Sequence, residues 1–165
     1  MKNLFLGLVL ILALVACGTS EKTAWMDGQK VYDEYTLTIE RQESFLKQQN
    51  SKKLILDSLK NNIIALENDL RVKDKPKQEK VDKYQQLVKL YRGQMDKFER
   101  ESADLSNQYR NEILVKIQEK VKDYGKENGY TYILNQTSGS NILYGVKQYD
   151  VTDKIAAKLG IEISE

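Results

Sequence analysis

The sequence predicts an α+β chain in which a long antiparallel α-helical hairpin, a coiled-coil arm, projects from a small body of β-strands. Apolar residues recur at alternating spacings of three and four on both sides of Pro76, the only proline, and this pattern is typical of two helices packed along one seam. Short segments rich in aromatic and β-branched residues precede and follow the helical region. Charged residues make up 30% of the chain, which favours long solvated helices over a large globular core.

The first residues are interpreted as an export signal and not as part of the fold. Lys2 is followed by an apolar run over residues 4–16 and then by Cys17. A helix over that run spans about 20 Å, which is too short for a hydrocarbon core of about 30 Å. We therefore expect a secretory signal peptide over residues 1–16.

The end of this signal, Leu14-Val15-Ala16-Cys17, resembles the lipobox of bacterial lipoproteins. In such proteins the signal is removed directly before the cysteine, whose thiol carries a diacylglyceride. The alternative is an ordinary signal with Cys17 nearby by chance. Because the chain has only one cysteine, no disulfide explains its presence in an oxidising compartment. We expect a lipidated linker over 17–22, a membrane attachment through it, and one domain over 23–165.

The composition excludes several classes of function. The chain has 26 basic and 24 acidic residues and loses Lys2 with the signal, so its charge is close to balance and gives no reason to expect a nucleic-acid partner. It has no histidine, which removes the imidazole base, the Ser-His-Asp triad and the histidine zinc site. Carboxylate pairs such as Glu99 with Glu101 are interpreted as solvated helix charges. We expect no enzyme activity, no cofactor and no metal.

The apolar stripes define the arm. The stripe before the proline consists of Leu56, Leu59, Ile63, Leu66 and Leu70. The stripe after it consists of Val81, Tyr84, Val88, Tyr91, Met95, Phe98, Ser102, Leu105 and Tyr109. Proline suits the first turn of a helix and not its interior, so Pro76 marks the tip of the hairpin. The predicted arm covers about 28–72 and 77–128, with the tip at 73–77.

The first stripe becomes polar towards its N-terminal end. The positions concerned are Gln42, Gln49 and Lys53. We expect the two helices to pair more loosely there. Asp27 is placed to cap the first helix.

The ends of the domain supply the body. A strand is predicted over 23–26, and Asn128-Gly129 is a C-cap for the second arm helix. A β-hairpin is predicted over 130–147, followed by a short helix over 151–159 that Asp150 or Thr152 caps and Gly160 ends. Three short strands make a marginal sheet. Joining several chains would remove its edges.

Two segments resemble the Skp/OmpH family of periplasmic chaperones: "MDGQKVYDEY" and "YTYILN…NILYGVKQYDVTDKI", within residues 23–159. The resemblance implies a homotrimer with a β-barrel-like core and three arms around a cavity for one unfolded outer-membrane β-barrel protein, without ATP. It places the chain in the periplasm, here lipid-anchored, whereas many members are soluble. The residues expected in the oligomer body are Trp25, Ile133, Leu134, Ile142, Leu143 and Tyr144.

Basic residues concentrate around the predicted tip. They are Arg71, Lys73, Lys75, Lys77, Lys80, Lys83, Lys89 and Arg92. On the ends of the arms they would form a positive rim that attracts acidic unfolded clients. The alternative is a loop that lysines merely keep in water. Phe45 and Leu46 are further candidates for client contact, because they lie beside the polar part of the stripe.

Two other functions stay open from the residues. A lipid-tethered coiled coil is compatible with a structural spacer of the cell envelope. An adaptor that docks one folded partner along its helices would use the polar positions Gln42, Gln49 and Lys53.

Overall fold

The computed structural model describes residues 21–72, 75–137, 139–140 and 142–162. The predicted signal peptide, the lipobox with Cys17 and the tip residue Lys73 lie outside these ranges. The elements are β1 (Thr23–Asp27), α1 (Gly28–Glu34), α2 (Thr36–Arg71), α3 (Gln78–Glu127), β2 (Tyr132–Gln136), a 3₁₀ turn (Lys147–Tyr149) and α4 (Thr152–Lys158). No helix within the described ranges is long and apolar enough to cross a membrane.

The chain divides into two compact units. The arm unit is Tyr32–Ile117, and the body unit consists of the described residues up to Val31 and from Gln118 onwards. Within the arm unit α2 and α3 run antiparallel. As the residue number rises along α2, the number of the residue that it pairs with on α3 falls. Arg41 pairs with Glu112, Lys52 with Glu101, and Asp69 with Lys80.

The predicted stripe of α3 forms the seam between the two helices. All nine of its positions from Val81 to Tyr109 are half-buried. Leu56 of α2 is buried, and Ile113 and Ile117 of α3 are buried further along. Among the described residues of the arm unit, α2 and α3 are each other's only long helical neighbour, so this narrow seam is the main apolar contact that either helix makes there.

The first arm helix is not continuous, in contrast to the prediction of a helix from residue 28 to residue 72. Tyr35 has an extended backbone (φ −68°, ψ 123°) and separates α1 from α2. Its carbonyl oxygen accepts hydrogen bonds from the amides of Thr38 and Ile39, at 2.8 and 3.2 Å. Because Tyr35 and the following Thr36 both have weak helix propensity, the helix can restart here at little cost.

The body unit contains a two-stranded parallel sheet. Thr23 of β1 lies opposite Tyr132 of β2, and Asp27 lies opposite Gln136. The other edge of β1 is partly occupied, because the Val151 amide donates to the Trp25 carbonyl oxygen at 2.9 Å. Ala24 and Met26 are buried on one face of β1, and α4 packs against this strand.

The predicted β-hairpin over 130–147 is wrong for the single chain. β2 pairs with β1 and not with the following segment, and residues 142–146 form no strand. The segment instead crosses the indole of Trp25, whose Nε1 donates to the Val146 carbonyl oxygen at 3.0 Å. Gly145 lies so close that an added Cβ would come within 2.4 Å of that nitrogen. Strand-like composition in this segment was not matched by a partner strand in the described chain.

Hydrogen bonds join the end of β1 to the start of α4. The Asp27 amide donates to Thr152 Oγ1, and the Asp150 carboxylate accepts from the Thr152 amide, both at 2.9 Å. Asp27 Oδ1 also accepts from the Lys30 amide and caps α1. The predicted cap at Asp27 is therefore present. The cap predicted at Asp150 or Thr152 is wrong, because Val151 occupies the N-cap position of α4 and no side chain makes a capping bond there.

The predicted glycine ends of α3 and α4 are also present. Gly129 and Gly160 have φ values of 68° and 74°. The amide of the following residue reaches back in each case, from Tyr130 to Gly125 and from Ile161 to Ala156. A helix end with these backward hydrogen bonds needs a residue in the left-handed backbone conformation. Glycine adopts that conformation without steric strain.

Thr152→Val tests the junction between β1 and α4. The change keeps the shape of a side chain that is only 4% exposed but leaves the Asp27 amide without its acceptor, so we expect the body to lose about 1–3 kcal/mol of unfolding free energy. Urea denaturation at one fixed protein concentration measures this. Thr131→Val, at an exposed position of the same unit, is the matched control and should change stability by less than about 0.5 kcal/mol. Equal stabilities of the two variants would contradict the assignment.

Candidate functional site

The seam of the arm contains a polar section between its apolar ends. Gln49 Nε2 donates to Ser102 Oγ at 2.7 Å, and Gln48 Nε2 donates to the Tyr109 hydroxyl at 3.1 Å. The hydroxyls of Ser44 and Tyr109 are 3.2 Å apart. Of the predicted polar positions, Gln49 is thus bonded across the seam, and the loosening expected there is not seen. Gln42 is exposed.

The lysine that contributes to the seam is Lys52 and not the predicted Lys53. Lys53 is exposed, whereas Lys52 is half-buried and pairs with Glu101 at 2.5 Å. Arg41 makes the stronger cross-seam pair, because its guanidinium donates two hydrogen bonds to Glu112 at 2.8 and 2.6 Å. Neither Lys52 nor Arg41 was identified from the sequence.

These ion pairs change the pKa values of their carboxylates. The hydrogen bond from Arg41 holds the pKa of Glu112 below its ordinary value, and the pKa of Arg41 is raised by the same bond. The hydrogen bond from Lys52 lowers the pKa of Glu101 in the same way. The paired side chains remain 33–43% exposed, so solvent screens them and their role is to fix the register of the two helices.

Phe45 and Leu46, both predicted to contact clients, lie in different surroundings. Phe45 lines a groove of about 450 Å³ in the arm unit together with Tyr109 and Ile113. It is half-buried and belongs to the seam region. Leu46 is 52% exposed and faces solvent.

The predicted basic cluster is only partly unpaired. Arg71 donates to Glu67 at 2.8 Å, and Lys80 pairs with Asp69 across the hairpin. The other described members are exposed and have no ion pair within the described residues: Lys75, Lys77, Lys83, Lys89 and Arg92. The cluster therefore retains an excess of unpaired positive charge.

Four of the six residues predicted for the oligomer body line one open cleft, and Ile133 and Leu143 do not. This cleft, of about 650 Å³, is lined by Trp25, Leu134, Ile142 and Tyr144 among others. Leu143 and Tyr144 are 94% and 80% exposed. Ile133 and Trp25 are half-buried. Exposure of this degree at large apolar side chains is unusual on the surface of a monomer.

A second feature of the body was not anticipated from the sequence. Lys22 Nζ donates to the Asn128 carbonyl oxygen at 2.8 Å and lies 4.2 Å from the centre of the Tyr130 ring. Tyr130 stacks on Tyr124, whose pKa is raised by burial. A positively charged lysine at a helix C-terminus interacts favourably with the helix dipole. Because Lys22 and Asn128 are more than a hundred residues apart in the sequence, sequence patterns do not reveal this contact.

The lowered pKa values predict an acid-sensitive arm. Because the folded arm holds the pKa of Glu112 and Glu101 below the ordinary 4.5, these groups contribute stability above that pH and lose it as the pH falls through the lowered values. We expect thermal stability, followed by circular dichroism, to fall between about pH 5 and pH 3. Glu112→Gln should be less stable at pH 7 and less dependent on pH. Glu43→Gln, an exposed position on α2, should behave like the parent, and a Glu112→Gln profile identical to it would contradict the role of the pair.

The comparison with known families agrees with the fold and with the resemblance in the sequence. The family model described as "Outer membrane protein (OmpH-like)" matches residues 22–159, which covers the arm unit and nearly all described residues of the body unit. No curated protein matches the chain. The chain belongs to the OmpH-like family, whose members are periplasmic chaperones of outer-membrane proteins and not enzymes.

Proposed function

We propose that the chain is an ATP-independent periplasmic holdase, which encloses unfolded outer-membrane proteins between helical arms and prevents their aggregation before membrane insertion. The observation that carries this proposal is the exposure of large apolar side chains along the arm. Leu54, Leu46 and Ile39 are 71%, 52% and 48% exposed. A helix pair that served only as a spacer would gain solubility if such positions were polar.

The proposed chemistry is reversible binding. An unfolded β-barrel protein exposes many short apolar segments, and several weak contacts with one client act together because the first contact raises the local concentration for the next. No single deep pocket is needed for capture of this kind. Release follows when the client buries the same segments in its own fold.

The proposed assembly is a homotrimer with a barrel-like core. It is supported by the exposed Leu143 and Tyr144, by the cleft beside them and by the two-stranded sheet, which is too small to be stable alone. Strands from neighbouring chains would cover the apolar cleft and pair the edge of β2 that no described strand occupies. The segment over 142–146, which contacts Trp25 through Gly145 and Val146, is the part of the body best placed in sequence and composition to become such a strand.

The proposed location is the periplasmic face of a membrane, with the lipid on Cys17. A short linker from Cys17 to β1 would hold the body close to the bilayer. The tip cations would steer acidic client segments towards the arms, over a range limited by a Debye length of about 8 Å at physiological salt. The alternative adaptor function is less well supported, because Gln49, one of the positions that would contact its partner, already bonds to Ser102 within the hairpin.

An aggregation assay tests the holdase. A soluble form beginning at Gly18 is mixed with a urea-unfolded outer-membrane β-barrel protein at dilution, and light scattering is followed without nucleotide. We expect suppression that saturates near one client per three chains. Absence of suppression at excess chaperone would refute the proposal. Saturation at a different ratio, checked by sedimentation of the complex, would refute the trimer and leave the holdase.

A charge variant tests the tip. Replacing Lys75, Lys77, Lys83 and Lys89 by glutamine should slow client capture at low salt by roughly tenfold, and remove most of its salt dependence, because steering by local charge raises association rates. Stopped-flow fluorescence measures the rate. The matched control replaces Lys122, Lys126, Lys147 and Lys154, which are exposed on the body unit, and changes the net charge equally. Equal rates for the two variants would leave the tip with a solubilising role only.

A further inference from the structure

Five large apolar side chains of α2 are exposed, and four of them share one flank of the helix outside the seam. We call these four the outer stripe: Ile39 (48% exposed), Leu46 (52%), Leu54 (71%) and Ile64 (44%). At about 100° per residue they lie within an arc of about 80° around the helix. The buried residues Thr38 and Leu56 lie about 100° from Ile39. The outer stripe is therefore one flank of α2, distinct from the face that contacts α3.

The spacing of the outer stripe does not suit a helical partner. Its members follow one another at about 10, 12 and 15 Å along the helix axis. The exposed polar residues Asn50, Lys53, Asp57 and Lys60 lie between them. A helix from a second copy would need apolar contacts every three or four residues to form a seam. Four partly exposed side chains also provide far less than the roughly 1,000 Å² of a stable interface.

An extended chain fits the same spacing. A strand advances about 3.3 Å per residue and presents every second side chain to one side, so four residues cover about 13 Å. Transmembrane β-strands alternate apolar and polar residues over about ten positions. One such unfolded segment could place apolar side chains against successive members of the outer stripe. Its unpaired backbone would meet the amide groups of Asn50 and Asn61, which are exposed on the same flank and can both donate and accept.

We propose that the outer stripe is the surface on which extended apolar segments of the unfolded client bind. This inference rests on the proposed holdase function and assigns its client contacts to one flank of α2. Discontinuous contacts of this kind hold an extended chain in many alternative registers, which gives retention without a fixed bound structure. Because polar residues separate the apolar ones, the flank also stays hydrated, which disfavours pairing between copies of the chain.

The chain offers a matched control on the same helix. Ile55 is 61% exposed, more than three of the four members of the outer stripe, but lies about 160° from Ile39 and on the opposite side of the seam. It lines a separate groove with Gln94 and Phe98. Leu90 of α3 is 47% exposed and provides a second apolar position off the stripe.

The experiment compares two variants of the soluble form beginning at Gly18. Ile39→Gln, Leu46→Gln, Leu54→Gln and Ile64→Gln are combined in the stripe variant, and Ile55→Gln and Leu90→Gln in the control. Glutamine keeps good helix propensity, and circular dichroism checks that the arm is intact. We expect the chaperone concentration for half-suppression of client aggregation to rise at least about fivefold in the stripe variant and less than about twofold in the control.

A site-specific label gives an independent readout. The form beginning at Gly18 lacks the only cysteine of the chain, so Leu46→Cys or Ile55→Cys introduces one labelling position. An environment-sensitive dye at position 46 should shift to the blue when unfolded client is added, and at position 55 it should not. Equal shifts at both positions would overturn the assignment to one flank.

The outcomes separate the inference from the function on which it rests. If the parent form fails to suppress aggregation, the holdase proposal is refuted, and the inference that the outer stripe binds the client is refuted with it. If the parent suppresses aggregation and the stripe variant does so equally well, the inference is overturned and the holdase remains. If the stripe variant alone changes the sedimentation mass of the free protein, the stripe is a contact between copies, which also overturns the inference.

Discussion

The arm is governed by one constraint: within its described residues, each of the two long helices has only the other long helix to pack against. A helix in this position buries one narrow face, and the remainder must be stable in water. The seam positions of α3 are accordingly half-buried and not fully buried. Cross-seam bonds such as Arg41 with Glu112 and Gln49 with Ser102 fix the alignment that a wide apolar core would otherwise provide. The same constraint leaves surface available on the outer flanks.

The body is subject to a different constraint, because its sheet has only two strands in the part of the chain that the structure describes. Parallel strands cannot be joined by a tight turn, and here the connection between β1 and β2 includes both arm helices. The body therefore combines the first and last parts of the chain. Asp27, Thr152 and Asp150 bond these parts directly, while Lys22 bonds the residue after α3. Folding of the body thus requires contacts between residues that are far apart in sequence, which is slow unless the arm hairpin brings them together.

The sequence was sufficient for features that depend on local chemistry. Periodicity predicted the seam, Pro76 predicted the turn of the hairpin, and Gly129 and Asp27 predicted helix ends, because each acts within a few residues of its own position. It was insufficient where the partner decides the structure. The segment at 142–146 has strand composition, but β1 takes the place beside β2. Lys52 and Lys53 differ by one position on a helix, and only the actual crossing of α2 and α3 decides which of them meets Glu101.

The two proposed surfaces of the arm have complementary physical roles. Exposed cations near the tip act at a distance and affect the rate of encounter, but salt screens them and they hold a neutral segment poorly. Exposed apolar side chains act only on contact and affect retention. A client that arrives by charge and remains by apolar contact would be captured with strong salt dependence and released with weak salt dependence. That difference follows from the distribution of Lys75, Lys77 and Lys83 relative to Leu46 and Leu54, since the cations lie around the turn and the apolar residues lie along α2.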